Sequence, residues 1–319
     1  DFMSTDGAPG STTTIRIRGT RSISASNEPL FIVDGIMDAI HDLNDINSDD
    51  IASISVLKDA SSTAIYGSRG ANGVIIITTK KGTRSDKVNI SFKADFSLSQ
   101  LPRSLDLMNA SEFVQYRNDY AYFGDDKSHA NVNANTPLSG SVYADPLSYG
   151  EGTDWQEAIT RVALFQNYNV SMSGKVDKMD FYASVGYTDE QGIVRGSDHK
   201  RLTARMNFGY QIAKWLKFSY QGAYGFNRQN VNKANIGGTN IYNAAMYLSP
   251  VIGPYDEFNP LYDNGARIDT PVTSLEKRTN LVDRHDLTNA ITFDIKPIKG
   301  LHIKSKNTFK TFQRHDYKF

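Results

Sequence analysis

The stretch that decides the fold of the first part of the chain runs Ala64-Ile65-Tyr66-Gly67-Ser68-Arg69-Gly70-Ala71-Asn72-Gly73-Val74-Ile75-Ile76-Ile77-Thr78-Thr79-Lys80-Lys81-Gly82. Its β-branched run from Val74 to Thr79 is typical of a buried strand. The residues from Asp59 to Gly67 predict a short helix, with Asp59 as its N-cap and Gly67 at its C-terminal end. A short helix followed so closely by a buried strand indicates a compact unit that contains both kinds of secondary structure.

Three more strands are predicted upstream, over the stretches Thr14 to Gly19, Leu30 to Val33 and Ser53 to Leu57. The second of them ends at Asp34-Gly35, a residue pair that favours a tight turn. Strands and one helix within so short a segment predict a small α+β domain over residues 1–82.

The residue patterns of known enzyme sites are not visible in the sequence. Gly67, Gly70 and Gly73 recur every third residue, but no Gly-Lys-Ser/Thr follows them, so a phosphate-binding loop is not indicated. The 6 histidines have no pair at the helical spacing of metal ligands, there is no cysteine, and no Gly-x-Ser-x-Gly sequence occurs. We therefore expect no catalytic residue, no metal ion and no cofactor.

The acidic stretch Asp45 to Asp49 resembles the start of a calcium-binding loop. Asp50 stands where that loop requires glycine, and Val56 stands where it requires a bidentate glutamate. The sequence therefore favours a solvated acidic loop in which Ser48 or Asp49 caps a helix.

Beyond Gly82 the sequence changes to long segments in which apolar and polar residues alternate. The seven segments begin near Val88, Tyr168, Phe181, Leu202, Leu216, Leu287 and Leu301, the last being the weakest. Each is about ten residues long, the length of a strand that crosses a bilayer at a tilt.

The connections between these segments alternate strictly between short and long. Junctions of two to four residues lie at 177–178, 213–215 and 297–300, and longer connections lie at 99–165, 190–199 and 227–284. A soluble β-sandwich also has alternating strands, but tight turns at one end and long loops at the other are typical of outer-membrane barrels. Aromatic residues near the strand ends suit the interfacial girdles of such a barrel: Phe165, Tyr168, Tyr187, Tyr210, Trp215, Tyr224 and Phe226.

Composition agrees with this interpretation. The chain has 319 residues, with 35 Lys+Arg against 35 Asp+Glu, and this balance gives no sign of a nucleic-acid partner. No apolar run approaches the roughly 18 residues of a membrane helix. The chain starts at Asp1 without a basic and apolar leader, so we expect any export signal to lie upstream.

Four stretches, in this order, resemble the plug domain of the SusC/RagA family of TonB-dependent outer-membrane transporters: Thr14 to Thr20, Asn27 to Gly35, Asp50 to Ala60 and Ala64 to Gly82. The segment from Asp154-Trp155 through Gln191-Gly192-Ile193-Val194 to Trp215-Leu216-Lys217 is similar to the early barrel of the same family. The resemblance is strongest over 11–82 and weaker after 230.

The resemblance implies an incomplete plug domain over residues 1–82 and the first part of a transmembrane β-barrel over 83–319. A plugged transporter of this kind has about 22 strands, of which seven are predicted here. The expected location is the outer membrane of Bacteroidetes-type bacteria, with the plug inside the lumen.

The resemblance also implies a function: TonB-energised import of bulky nutrients, oligosaccharides first and peptides as the alternative. The implied partners are a SusD-like surface lipoprotein, TonB, the substrate and outer-membrane lipid. TonB would act through a segment that this chain lacks.

A structural or gating role is implied for ten plug residues: Arg16, Arg18, Asp34, Gly35, Lys58, Asp59, Tyr66, Gly67, Arg69 and Gly73. Arg16 and Arg18 would hold the plug by pairing with acidic groups of the barrel lumen, or they would form an ordinary solvated strand face. Asp34-Gly35 would be a gating element or simply a turn.

Two other classes of protein stay open from the sequence. A passive porin or adhesin barrel would share the strands but not the plug, and a soluble glycan-binding β-domain would share the alternation. The barrel hypothesis predicts an open antiparallel sheet of six to eight strands. It places Phe92, Val170, Phe181, Phe208 and Phe218 on the lipid side, and Lys93, Ser171, Tyr182, Asn207 and Ser219 on the lumen side.

Overall fold

A computed structural model describes residues 2–4, 8–11, 13–15, 17, 28–82, 87–123, 145–230, 235–236, 239–256 and 269–318. It divides into an N-terminal unit, formed by the described residues up to Gly82, and a large antiparallel sheet that follows. Helices outside the N-terminal unit lie in the two longest connections of the large sheet.

The N-terminal unit contains a four-stranded sheet with strands β3 (Leu30–Val33), β4 (Ile36–Met37), β5 (Ile51–Leu57) and β6 (Val74–Thr79), in the order β4-β3-β6-β5. β3 and β6 are parallel, and the other neighbours are antiparallel. β1 (Phe2–Ser4) and β2 (Thr13–Ile15) form a separate antiparallel pair. Of the strand predicted over Thr14 to Gly19, Thr14 and Ile15 lie in β2, Ile17 lies outside it, and the other positions are outside the described residues.

The core of this unit lies on both faces of β3 and β6, because these two strands are central in the sheet. One face packs the side chains of Ile15, Phe31, Val33, Ile40, Ile46, Ile75 and Ile77. The other packs Leu30, Ile32 and Val74. Ile77 and Val74 have no exposed surface, which confirms the buried strand predicted over Val74 to Thr79.

The helix predicted from Asp59 to Gly67 is broken. An α-helix covers Ala60–Thr63, and a 3-10 helix continues over Ala64–Gly70, with Gly67 at φ 61° and ψ −145°. Asp59 occupies the N-cap position, but its side chain accepts no capping hydrogen bond. The Ser62 and Thr63 hydroxyls donate to the Asp59 backbone carbonyl. Short hydroxyl side chains of this kind compete with backbone amides for helix carbonyls.

The large sheet has seven antiparallel strands, which confirms the predicted number and the open architecture. Its strands are β7 (Asn89–Ser99), β8 (Ala163–Val176), β9 (Met179–Gln191), β10 (Asp198–Ala213), β11 (Leu216–Asn230), β14 (Asn280–Ile295) and β15 (Ile303–Lys318), with β12 (Asn235–Ile236) and β13 (Thr239–Asn240) forming a small hairpin between β11 and β14. Neighbours in the sheet follow the order β7 to β11, then β14 and β15, and each pair is antiparallel.

The strands are longer than the predicted ten residues, at 11 to 16. β15, predicted to be the weakest, has 16 residues, all paired in register with β14. The length of β15 could not be predicted because the pattern used to find strands, the alternation of apolar and polar residues, is largely missing. Lys304, Lys306 and Lys310 alternate with other polar residues such as Ser305 and Asn307.

The long connections carry short helices over Ala110–Phe123, Trp155–Ile159, Ile241–Tyr247 and Pro271–Lys277. The last three of these helices share a core that contains Trp155, Ile159, Ile241, Ala245, Ile252, Val272 and Leu275. The Trp155 indole Nε1 donates to the Ser249 carbonyl at 3.1 Å, so the two loops are joined into one small cluster. Among the described residues, no helix is both long enough and apolar enough to cross a membrane.

Trp155→Ala is expected to separate these loops, because it removes a large buried side chain and leaves a cavity, a change that costs about 3–5 kcal/mol. Hydrogen exchange on the full-length protein should show lost protection in the helices 241–247 and 271–277. Tyr247→Ala, at an exposed position of one of these helices, should leave their protection unchanged. Equal protection in wild type and Trp155→Ala would contradict the shared core.

Candidate functional site: the interface between the N-terminal unit and the large sheet

The large sheet presents one polar face to the N-terminal unit, and we call this its inner face. Lys93, Tyr182 and Asn207 contact the N-terminal unit from it. Phe208 packs against Phe218 and Tyr220 on the opposite, outer face. Strand register places the remaining residues of the predicted sets accordingly, so the predicted facing is confirmed.

One predicted girdle residue faces the other way. Phe165 has the parity of Asn167 and Asn169 on β8 and lines an inner-face cavity with Lys93 and His199. The prediction that Phe165 belongs to an outer girdle is therefore wrong. Its position at the strand end suggested a girdle, but its register places it inside.

One buried contact of the interface centres on Asp50, which is 2% exposed. The Tyr182 hydroxyl donates to its Oδ1 at 2.8 Å. The Arg205 Nε lies 3.6 Å from its Oδ2, and the Arg205 side chain is 11% exposed. A carboxylate, a phenol and a guanidinium are thus held together where little water reaches them, which makes the loss of any one partner costly.

A second contact joins the end of β6 to β10. Asn207 Nδ2 donates to Thr79 Oγ1 at 3.1 Å and to the Lys80 carbonyl at 2.9 Å. Thr79 is in turn bound by Asp34, whose carboxylate accepts from both the Thr79 backbone amide and its hydroxyl. Asp34 thereby supports a residue that touches the large sheet, although its own carboxylate is bound within the N-terminal unit.

Two lysines of β15 reach backbone carbonyls in the hairpin that follows β3. Lys306 Nζ donates to the Asp34 carbonyl at 2.7 Å, and Lys310 Nζ donates to the Asp38 carbonyl. Asp34 and Asp38 both have φ of 50°, and Gly35 has φ of 79°. The predicted Asp34-Gly35 turn therefore exists, and its left-handed backbone presents a carbonyl to the inner face.

The acidic stretch around Asp49 is not the solvated loop that the sequence favoured. The Lys93 Nζ donates to Asp49 Oδ1 at 3.0 Å, and Arg201 donates to the Asn44 carbonyl. The cap of the 3-10 helix Ser48–Asp50 is Asn47, whose side chain accepts from the Asp49 amide, so the prediction that Ser48 or Asp49 serves as the cap is wrong. Asp49 therefore faces the large sheet, whose inner face supplies Lys93 as its cationic partner.

The remaining predicted site residues are dispersed. Arg16 and Arg18 lie outside the described residues, so their pairing with acidic groups of the barrel stays a prediction. Lys58 and Asp59 are exposed, and Arg69 pairs with Asp38 at the surface.

The other three predicted residues have backbone or packing roles in the N-terminal unit. Tyr66 packs against the buried cluster of Leu30, Ile32 and Val74. Gly67 and Gly73 have φ of 61° and 100°, which only glycine adopts readily. At Gly73 a Cβ would also lie 2.8 Å from Ile17 Cδ1.

The outer face carries two rows of mainly aromatic residues. Tyr187, Leu202 and Phe226 are paired across β9, β10 and β11 in one row, and Met179, Tyr210 and Phe218 are paired in the other. Eight residues separate the rows on each strand, about 27 Å along the strand and about 20 Å at the tilt of a barrel strand. That height is close to the apolar band of an outer-membrane barrel.

Within the described residues, no group of three or more His, Cys, Asp or Glu side chains is arranged to hold a metal ion. The interface is instead a set of reversible polar contacts between two separately built parts. Such an arrangement can hold the N-terminal unit in place and release it without any covalent chemistry.

The comparisons with known proteins agree with this architecture. Residues 2–74 match the model of the TonB-dependent receptor plug domain. The chain is 33% identical to the TonB-dependent receptor P26 of Formosa agariphila over 94% of the chain and 29% of the relative, and 35% identical to the TonB-dependent receptor SusC of Bacteroides thetaiotaomicron over 83% of the chain and 25% of the relative. The structure of the RagAB peptide importer matches 100% of the chain and 38% of its own chain, with 27% identity and a TM-score of 0.81.

The chain therefore belongs to the TonB-dependent receptors, and within them to the SusC/RagA type. The N-terminal unit is a plug domain, and the large sheet is part of its β-barrel, so we call them the plug and the barrel wall below. The similar proteins are receptors and transporters, not enzymes. The chain spans between a quarter and a third of the length of these curated relatives.

Proposed function

We propose that the full-length protein imports bulky nutrients across the outer membrane, with the plug as a gate that TonB opens. The observation that carries this proposal is the polar plug–wall interface, in which Asp50, Tyr182 and Arg205 hold the plug against the inner face. A barrel wide enough for a large solute needs a blocked lumen, and opening it requires work because the outer membrane has no ATP. Reversible hydrogen bonds and ion pairs suit a gate that is moved repeatedly.

The proposed location is the outer membrane. The aromatic rows of the outer face support it, since their separation fits the hydrocarbon layer. In this proposal residues 1–82 act as the plug and residues 83–319 as the first part of the barrel. The loop cluster around Trp155 would then lie outside the cell, because the tight turns at 177–178 and 214–215 are at the opposite ends of the strands.

We propose oligosaccharides as the first substrate class to test and peptides as the second. The similarity to SusC supports a transporter of the SusC type. The similarity to RagAB, which is a peptide importer, supports peptides as the second substrate class. The proposed partners are a SusD-like lipoprotein on the extracellular loops, over about 99–165 and 227–284, and TonB on the periplasmic side. Asp34 and Gly35 are proposed as gating residues because Lys306 of β15 donates to the Asp34 carbonyl. Arg69 is proposed because it pairs with Asp38, whose carbonyl accepts from Lys310 of β15.

Uptake of labelled oligosaccharide and labelled peptide by cells that express the full-length protein tests the substrate class. We expect uptake of oligosaccharide, and its loss when the lipoprotein gene is deleted. Cells lacking the transporter are the control. Uptake of peptide alone would replace the glycan assignment, and uptake of neither class would contradict both.

A further inference from the structure

Asp286 is the one residue of the described chain whose two carboxylate oxygens are both shielded from solvent and both without a hydrogen-bond partner. It lies on the inner face of β14, opposite Gly225 of β11. Burying a charged group without a partner is unfavourable, so this residue works against the packing around it. Other barrel-wall residues at the interface, such as Lys306 and Lys310, make hydrogen bonds to the plug.

The group that faces Asp286 from the plug has the same charge. Asp45 and Asp286 line one narrow cavity between the plug and the barrel wall. The Asp45 carboxylate is fixed there, because its Oδ2 accepts from the backbone amides of His41 and Asp42. Two carboxylates held on opposite sides of one narrow cavity repel each other.

Cations also lie near Asp286, but among the described residues none of them makes a hydrogen bond to it. His41 of the plug and Lys310 and Arg284 of the barrel wall also lie near enough to act on Asp286, with the opposite sign to Asp45. Lys310 donates to the Asp38 carbonyl, and the buried Arg284 Nε has no hydrogen-bond partner of its own. The closed plug therefore contains one repulsive contact among many favourable ones.

We propose that Asp286 and Asp45 form a release pair, a repulsive contact that lowers the work needed to move the plug away from the barrel wall. Displacing the plug separates the two carboxylates and admits water to both. Their electrostatic repulsion therefore destabilises the closed state and is absent from the open state. The attractive contacts at Asp50 and Asn207 keep the gate shut at rest. The pair rests on the proposed gating role of the plug, but not on the identity of the substrate.

The test is urea-induced opening of the full-length transporter in planar lipid bilayers, where a displaced plug is measured as ion conductance. Asp286→Asn and Asp45→Asn remove one charge each, and the amide introduced by Asp45→Asn keeps an oxygen that can accept from the two backbone amides. At a urea concentration that opens half of the wild-type channels, either variant should lower the ratio of open to closed channels by at least about threefold. Because both substitutions relieve the same repulsion, the double variant should add little to the larger single effect.

Asp294→Asn is the matched control, since Asp294 lies on the same strand but pairs with His302 near the tight turn. It should open like wild type. Easier opening of Asp286→Asn would show that Asp286 holds the plug, for instance through Arg284, and would overturn the proposal. Additive effects of the two substitutions would show that the two carboxylates do not act on each other and would overturn the proposal. If Asp286→Asn does not insert into the membrane, Asp45→Asn is sufficient by itself, because its opening at the wild-type urea concentration would also overturn the proposal. A wild-type protein that never conducts in urea would instead remove the gating role itself.

Discussion

Ile77→Asp is expected to unfold the plug inside an otherwise assembled barrel. Ile77 is fully buried at the centre of the four-stranded sheet and packs with Phe31, Val33 and Ile75. A carboxylate there has no partner, and its burial should cost more than about 4 kcal/mol, most of the stability of a small domain. The measurable result is a barrel that admits large antibiotics and no longer imports its substrate.

Position 77 is a better target than its neighbour. Ile76, the preceding residue of β6, is only partly buried, so a carboxylate there would reach water. Ile77→Val is the matched control, because it removes one methylene group and should cost about 1 kcal/mol. An Ile77→Asp transporter that excluded large antibiotics and imported normally would contradict the account of the plug core.

Asp50→Ala is expected to loosen the plug from the barrel wall without unfolding it. The substitution leaves the Arg205 guanidinium buried without its anion and the Tyr182 hydroxyl without its acceptor. Removing one partner of a buried ion pair typically costs about 3–5 kcal/mol. Urea should then open the full-length channel at a clearly lower concentration than in wild type.

Asp49 offers the matched control one residue away. Its partner Lys93 has a side chain that is 51% exposed, so Asp49→Ala should change the opening concentration little. The urea dependence of conductance, measured side by side for the two variants, separates the buried contact from the exposed one. Equal effects of Asp49→Ala and Asp50→Ala would contradict the central place given to Asp50.

The sequence predicts the fold well because each unit has a strong local pattern. The run Val74 to Thr79 is typical of a buried strand, and the alternation along the large sheet predicts both the number of strands and their facing. β15 shows the limit of this reasoning. Its lysines face the plug, so a strand that is regular in the structure has little apolar alternation.

The contacts between plug and barrel wall could not be predicted from the sequence. Asp50 and Tyr182 are 132 residues apart, and Lys306 is 272 residues from Asp34. The alternation of apolar and polar residues along a segment does not encode such pairs, because they form only when the folded plug and the folded barrel wall meet. The acidic residues near Asp49 are visible in the sequence, but the sequence does not show that they contact the barrel wall. Lys93, the cationic partner of Asp49, is 44 residues away on another strand.

Dependence on TonB is the most direct test of the whole account. Uptake of the labelled substrate should be measured in cells that express the full-length transporter, with and without the tonB gene, and with a passive porin as the control for membrane integrity. The account predicts that uptake stops when TonB is removed, while porin-mediated diffusion continues. Uptake that persisted at the same rate without TonB would contradict energised import and would make the protein a passive pore.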